Sequence, residues 1–138
     1  MIRVSYGTWY EELRAALRSL APDCPTVETR VSTCWCGSNA FWLETDATLG
    51  AACRVCLCGL ETPLIDSAAS WTLARPTLWR CRCGNESANV GAGFCCPPPG
   101  HVVERVCVAA RCAQCGIVAP AAEWQLGYEP SRHLMENM

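Results

Sequence analysis

The sequence predicts a small, metal-stabilised, mainly β fold: two tandem cysteine modules preceded by one N-terminal α-helix. Three observations carry this. Thirteen of the 138 residues are cysteine, a density that marks a cysteine-held scaffold. The cysteines fall in short pairs, and the order of the pairs repeats along the chain. The segments between the pairs alternate apolar and polar residues, the period of a half-buried strand.

Composition explains why such staples are needed. With two Phe, three Tyr and three Met, the chain can build only a thin core, and small thin cores lean on covalent or metal support. A net charge of −2 with 17% charged residues excludes a disordered polyelectrolyte and a strongly basic nucleic-acid wrapper. No apolar run approaches the roughly eighteen residues of a membrane span, so no membrane partner is expected.

The helix comes first. Thr8-Trp9-Tyr10-Glu11 has the form of a capping box, with Thr8 as N-cap and Glu11 three residues on. Trp9, Leu13, Ala16, Leu17 and Leu20 then fall at helical spacing, with Arg14 and Arg18 on another face. This predicts a helix over 9–20, stopped by Ala21-Pro22, within a helical segment 1–25. Its stripe of Trp9, Tyr10, Leu13 and Leu17 either covers the domain or docks on a partner. Strands follow at Val27–Val31, 41–45, 71–73, 77–80 and 102–108. Pro97-Pro98-Pro99-Gly100 reads as a rigid loop, and 128–138 as a tail.

The repeat organises the cysteines. Cys34-Trp35-Cys36-Gly37 recurs as Cys81-Arg82-Cys83-Gly84, and Cys53-Arg54-Val55-Cys56 recurs as Cys112-Ala113-Gln114-Cys115. The modules are therefore taken as 26–70 and 71–127, the second carrying an insertion at 91–101 that holds Cys95 and Cys96. Two cysteines one or two residues apart can turn both sulfurs to one side but bond to each other only with strain. Two such pairs supply the four thiolates of a tetrahedral zinc site. Glycine follows cysteine at Gly37, Gly59, Gly84 and Gly116, where a positive φ lets the backbone wrap a metal.

In these spacings the chain resembles the zinc-ribbon fold group, in which two cysteine-bearing turns on β-hairpins clamp one zinc. The resemblance covers most of 30–120, in two copies, with the shorter C-x-C replacing C-x-x-C at Cys34/Cys36 and Cys81/Cys83. The first ligand set is read as Cys34, Cys36, Cys53 and Cys56. An alternative replaces Cys53 with Cys58, which forms a C-x-C pair with Cys56. The second set is Cys81, Cys83, Cys112 and Cys115. Two Zn²⁺ are expected. A third would draw on Cys58, Cys95, Cys96, Cys107 and His101. Cys24 and Cys107 otherwise read as buried free thiols. His133 reads as an exposed tail residue, and a four-cysteine iron–sulfur cluster is the competing metal chemistry.

No secretory signal is expected, because no apolar run follows Arg3. A cytoplasmic location follows, or a virion if the chain is phage-encoded. In a reducing compartment, metal is expected before disulfides. All eleven basic residues are arginine, which reads as the codon bias of a GC-rich genome.

Four thiolates close a zinc site against water and substrate, and no nucleophile, metalloprotease or phosphate-loop motif is present. The expected function is thus not enzymatic. It is a zinc-binding structural or interaction protein, a small subunit of a larger assembly, in one version a phage virion component. A second reading is a nucleic-acid- or transcription-machinery-binding protein. It would work through 71–127, where five Arg face three Glu. A third is thiol redox or metal transfer. Trp9, Trp71, Arg75, Trp79, Arg80 and Arg82 are the candidate contact residues for a protein partner or for nucleic acid.

Overall fold

The computed structural model describes residues 4–24, 27–46, 51–63, 75–97 and 103–125. These contain α1 (Val4–Ser19), β1 (Val27–Val31), β2 (Phe41–Asp46), β3 (Ala51–Cys56), β4 (Glu61–Pro63), β5 (Thr77–Leu78), β6 (Ser87–Cys95), β7 (Arg105–Cys112) and β8 (Val118–Gln125). The protein is mainly β with one leading helix. The strand expected at 71–73, the junction 64–70, His101 and the tail 128–138 lie outside the described residues.

Every pairing is antiparallel. The sheet runs β4-β3-β2-β6-β7-β8, with β1 on β6 and β5 on β2. One edge of β6 is divided: its start pairs with Phe41 and Trp42 of β2, and residues 91–95 pair with β1. The whole of the other edge is taken by β7 up to Cys95. The two cysteine modules therefore share one sheet, and residues 91–95, read from the sequence as part of an insertion, form half of its central strand. Gly91, Ala92 and Gly93 gave that segment no alternation to read. β7 starts at Arg105 rather than at 102. The strand expected over 77–80 shortens to β5, although the Trp79 N–H still reaches the Leu43 carbonyl at 2.8 Å.

β6 and β7 are buried on both faces, so each must be covered twice. Val90, Ala92, Phe94, Val106, Val108 and Ala110 join Phe41, Leu43 and Ala52 in the main core. β8 also touches β2 and β3, so the sheet curls over this core, and Ala121, Ala122 and Trp124 lean on it.

On the other face lies α1. Its Leu13 and Leu17 are fully buried and pack on Ala109 of β7, with Trp9 and Leu20 beside them. Leu13 and Leu17 of the helical stripe are thus committed to their own sheet, and the half-buried Trp9 packs beside them. β6 meets the helix with almost bare backbone. A Cβ at Gly91 would stand 3.0 Å from Leu17 Cδ1, tighter than side chains tolerate without shifting. The helix starts at Val4, so Thr8 lies within it and is not the N-cap. Gly7 costs a helix about 1 kcal/mol relative to alanine, too little to stop it here. At the other end, Leu20 donates to both Ala16 and Leu17, and Pro22 stops further helix.

Cys24 and Cys95 form a disulfide, with Cα atoms 6.1 Å apart. Both sequence readings of these residues are corrected: Cys24 is not a free thiol, and Cys95 is not a metal ligand. The cause is register. Val27 stands opposite Cys95 in the β1–β6 ladder, which brings Cys24, three residues earlier, to the end of β6. The bond ties the exit of α1 to the central strand.

Leu17→Ala removes the centre of the helix–sheet contact. It should lower stability by about 3 kcal/mol, measured by urea unfolding at constant metal concentration.

Candidate metal centres

Four turns of one design place the cysteines. In three of them the sequence is C-x-C-G, at Cys34, Cys56 and Cys81. In the fourth it is C-x-x-C-G, at Cys112. The first cysteine of each donates its N–H to a carbonyl beyond the turn: Cys34 to Ser38 at 2.8 Å, Cys56 to Leu60 at 2.9 Å, Cys81 to Asn85 at 2.9 Å and Cys112 to Ile117 at 2.9 Å. The glycine N–H returns to that cysteine's carbonyl at 2.8–3.0 Å in all four. Closing the turn this way needs a left-handed residue. Gly37, Gly59, Gly84 and Gly116 have φ of 91°, 99°, 92° and 82°, values that L side chains rarely adopt.

The turns meet in pairs. Cys34, Cys36, Cys56 and Cys58 form one cluster, and Cys81, Cys83, Cys112 and Cys115 form the other. Within each, all sulfurs lie within 4.8 Å of one another. The shortest contacts are 3.6 Å for Cys34–Cys58, 3.5 Å for Cys36–Cys56, 3.5 Å for Cys81–Cys115 and 3.6 Å for Cys83–Cys112. A tetrahedron with Zn–S bonds of 2.3 Å has edges of about 3.8 Å, so either set can hold a metal ion with little movement. The first member of each pair is buried and the second exposed.

Both clusters lie at one end of the sheet. Cys56, Phe41, Ala88 and Cys112 stand in a single row across β3, β2, β6 and β7. Each cluster joins the start of one strand to the end of its partner: β2 to β3, and β6 to β7.

Cys58, not Cys53, completes the first cluster. Cys53 and Cys56 both lie in β3, three residues apart, and a strand turns such residues to opposite faces. Cys53 is fully buried. Burial first, then the Glu61 and Glu44 charges, push its thiol up to about 12. It lies outside the group of converging sulfurs. The alternative reading with Cys58 is the one the structure supports: a glycine follows Cys58 and marks a turn, whereas Cys53, preferred because it preserves the repeat, has none.

Inside each cluster one thiol is set to ionise and others to donate to it. A backbone hydrogen bond from Cys58 has the largest influence on Cys56. Burial opposes it, the other three thiols reinforce it, and the Cys56 pKa falls to about 6. For Cys112 burial opposes ionisation. Backbone hydrogen bonds from Cys115 and Gln114, with the Asn85 amide and the Cys83 thiol, outweigh it and bring the pKa to about 5. Their partners move the other way. A backbone bond from Ser38 favours the Cys36 thiolate and one from Asn85 favours that of Cys83. The neighbouring thiols and burial nevertheless push each up to about 11. A divalent cation resolves this proton sharing, because every ligand binds as thiolate and its proton leaves.

The remaining candidates disperse. Cys96 is buried in the main core. Cys107 is buried beside Glu123 on the helix side of β7, and burial raises its pKa. Among the described residues neither joins a third cluster, and His101 lies outside them. Trp79 packs partly into the core. Arg80 is held by Glu86 at 2.6 Å. Arg75 and Arg82 are exposed, and Trp71 lies outside the described residues. Trp35, one of six tryptophans and outside the candidate contact set, stands between Cys34 and Cys36 and is 96% exposed.

Comparison with protein-family models, curated proteins and solved structures returns no match. Among the described residues no helix is long and apolar enough to cross a membrane.

Cys58→Ser should reduce the metal content of the purified protein by one ion per chain, and Cys53→Ser should leave it unchanged. Elemental analysis of both variants decides between the two ligand sets; the opposite pattern would restore Cys53.

Proposed function

We propose that the chain is a non-catalytic, two-zinc interaction protein. One end of its sheet would present the metal-held turns to a protein partner in a larger assembly. The observation that carries this reading is Trp35. It is the x of Cys34-x-Cys36, and 96% of it is exposed. Leu57 is the x of Cys56-x-Cys58 and is 63% exposed, with Leu60 next to it at 44%. A soluble chain rarely leaves such side chains together in water without a use for them. Tryptophan is favoured at the anchor points of protein interfaces. Zinc would hold the two turns in place beforehand, so little ordering remains to be lost on binding.

Charge favours protein over nucleic acid at this tip. Residues 1–70 carry five Arg and eight acidic residues, a sum of −3, and Arg54 is buried. Four thiolates leave a zinc no open position, which supports a structural role for each metal. Cys112 and Cys115 converge with Cys81 and Cys83, so they form half of a closed site rather than an isolated redox dithiol. A phage virion is one assembly in which such a subunit would serve.

The second pair of turns supports a second reading. Its tips are Arg82 and Gln114. Trp79, Arg80, Arg82 and Ile117 line a groove of about 280 Å³ there. An aromatic ring beside arginines suits the stacking of a base. Against it, Arg80 is committed to Glu86, Arg105 to Asp23 and Glu123, and Arg111 to Glu12.

Gel filtration of extracts from the producing organism tests the first reading. The wild-type chain should elute in a high-mass assembly. Trp35→Ala should elute as the free chain with its zinc content intact. Elution of both at the same position contradicts the reading. Binding to single-stranded DNA in dilute salt, lost in Arg80→Ala/Arg82→Ala, would favour the second.

A further inference from the structure

Arg54 is the one charged residue in the buried set among the described residues, with 5% of its surface exposed. It lies in β3 two residues before the ligand Cys56, so both side chains share the core face of the strand. Its guanidinium carbon sits 4.8 Å over the Phe41 ring, a favourable but weak partner for a cation. Its Nε makes no hydrogen bond. No carboxylate forms an ion pair with it among the described residues. Burial lowers its pKa, and the cluster cysteines Cys34 and Cys56 oppose this most.

A buried cation without an anion is strongly unfavourable. Four thiolates around one Zn²⁺ carry a net charge of −2, which is the anion this cation lacks. We infer that Arg54 is the counter-charge of the first metal centre, a positioning residue that keeps its four thiolates loaded. The inference rests on the two-zinc reading. Its positive charge, held on the same face of β3 as Cys56, offsets part of the negative charge of the loaded cluster and so opposes loss of the metal. In return the loaded cluster makes the burial of Arg54 tolerable, so this half of the sheet and its metal stabilise each other.

The second centre is built differently. Cys112 Sγ accepts a hydrogen bond from Asn85 Nδ2 at 3.3 Å and from the Cys115 N–H at 3.4 Å. The nearby Arg111 places Nη2 beside Gly116 of the turn, but its charge is already paired with Glu12, and it also donates to Asn89. One centre therefore has a buried cation with no carboxylate partner, and the other has neutral donors and an arginine already paired with Glu12. That contrast provides an internal control.

The test is an EDTA challenge of the full zinc-loaded chain with timed alkylation, each cysteine being followed by peptide mass spectrometry. In Arg54→Met, labelling of Cys34, Cys36, Cys56 and Cys58 should accelerate about tenfold or more, the usual scale for losing an outer partner of a metal ligand. Labelling of Cys81, Cys83, Cys112 and Cys115 should keep its wild-type rate, which also reports that the sheet is folded. Arg54→Lys, which keeps the charge, should restore most of the protection. Unchanged rates in Arg54→Met would overturn the inference. So would equal acceleration at both centres, or Arg54→Lys as fast as Arg54→Met. A wild-type chain labelled at all eight cysteines before EDTA is added would overturn the two-zinc reading itself, and this inference with it.

Discussion

The structure depends on sulfur convergence at one end of a sheet. Four turns, each closed by a left-handed glycine, bring eight cysteines into two groups of four. The groups join β2 to β3 and β6 to β7 where those strands begin and end. The row Cys56–Phe41–Ala88–Cys112 then sets the two hairpins side by side. Everything else in the fold continues from that row. The ladder of β6 and β7 extends far enough to seat α1, and β1 and the Cys24–Cys95 bond close the far end. A core of small residues suffices because the strand ends are already fixed. Ala52, Ala88, Ala92 and Ala110 occupy places where a larger domain would put leucine or phenylalanine.

The turns were legible in the sequence because their chemistry is local. A Cys-Gly step needs only its own few residues to be recognised, and all four glycines adopt the positive φ that the step implies. The second ligand set followed from spacing alone. The first did not, because two local rules disagreed there. Copying the repeat favoured Cys53, while the glycine rule favoured Cys58. The strand period decides between them: a residue three positions before Cys56 in β3 must face away from it.

What was not legible was long-range. No short window of sequence reveals that β1 crosses to β6, or that residues 91–95 form a central strand. Both faces of β6 are buried, so its apolar residues do not alternate, and its glycines resemble a loop. Their purpose becomes visible only when Leu13 and Leu17 are seen lying over them. The disulfide was hidden for the same reason, since it follows from the β1–β6 register. Arg54 was read only as a residue between the paired cysteines Cys53 and Cys56. Its burial depends on how the sheet curls and on what stands beside Phe41.

The sheet end that carries the two four-thiol groups bears an apolar tip at Trp35 and Leu57 and a cationic one at Arg82, and the proposed recognition role rests on these tips. The central claim beneath that account is that each group of four thiols is a metal centre. Native mass spectrometry of the purified chain, compared with its denatured mass, tests it most directly. The account predicts a difference of two zinc ions, with one disulfide and the remaining eleven thiols reduced after the metal is removed. A chain without metal, whose clustered cysteines were instead paired as further disulfides, would contradict it.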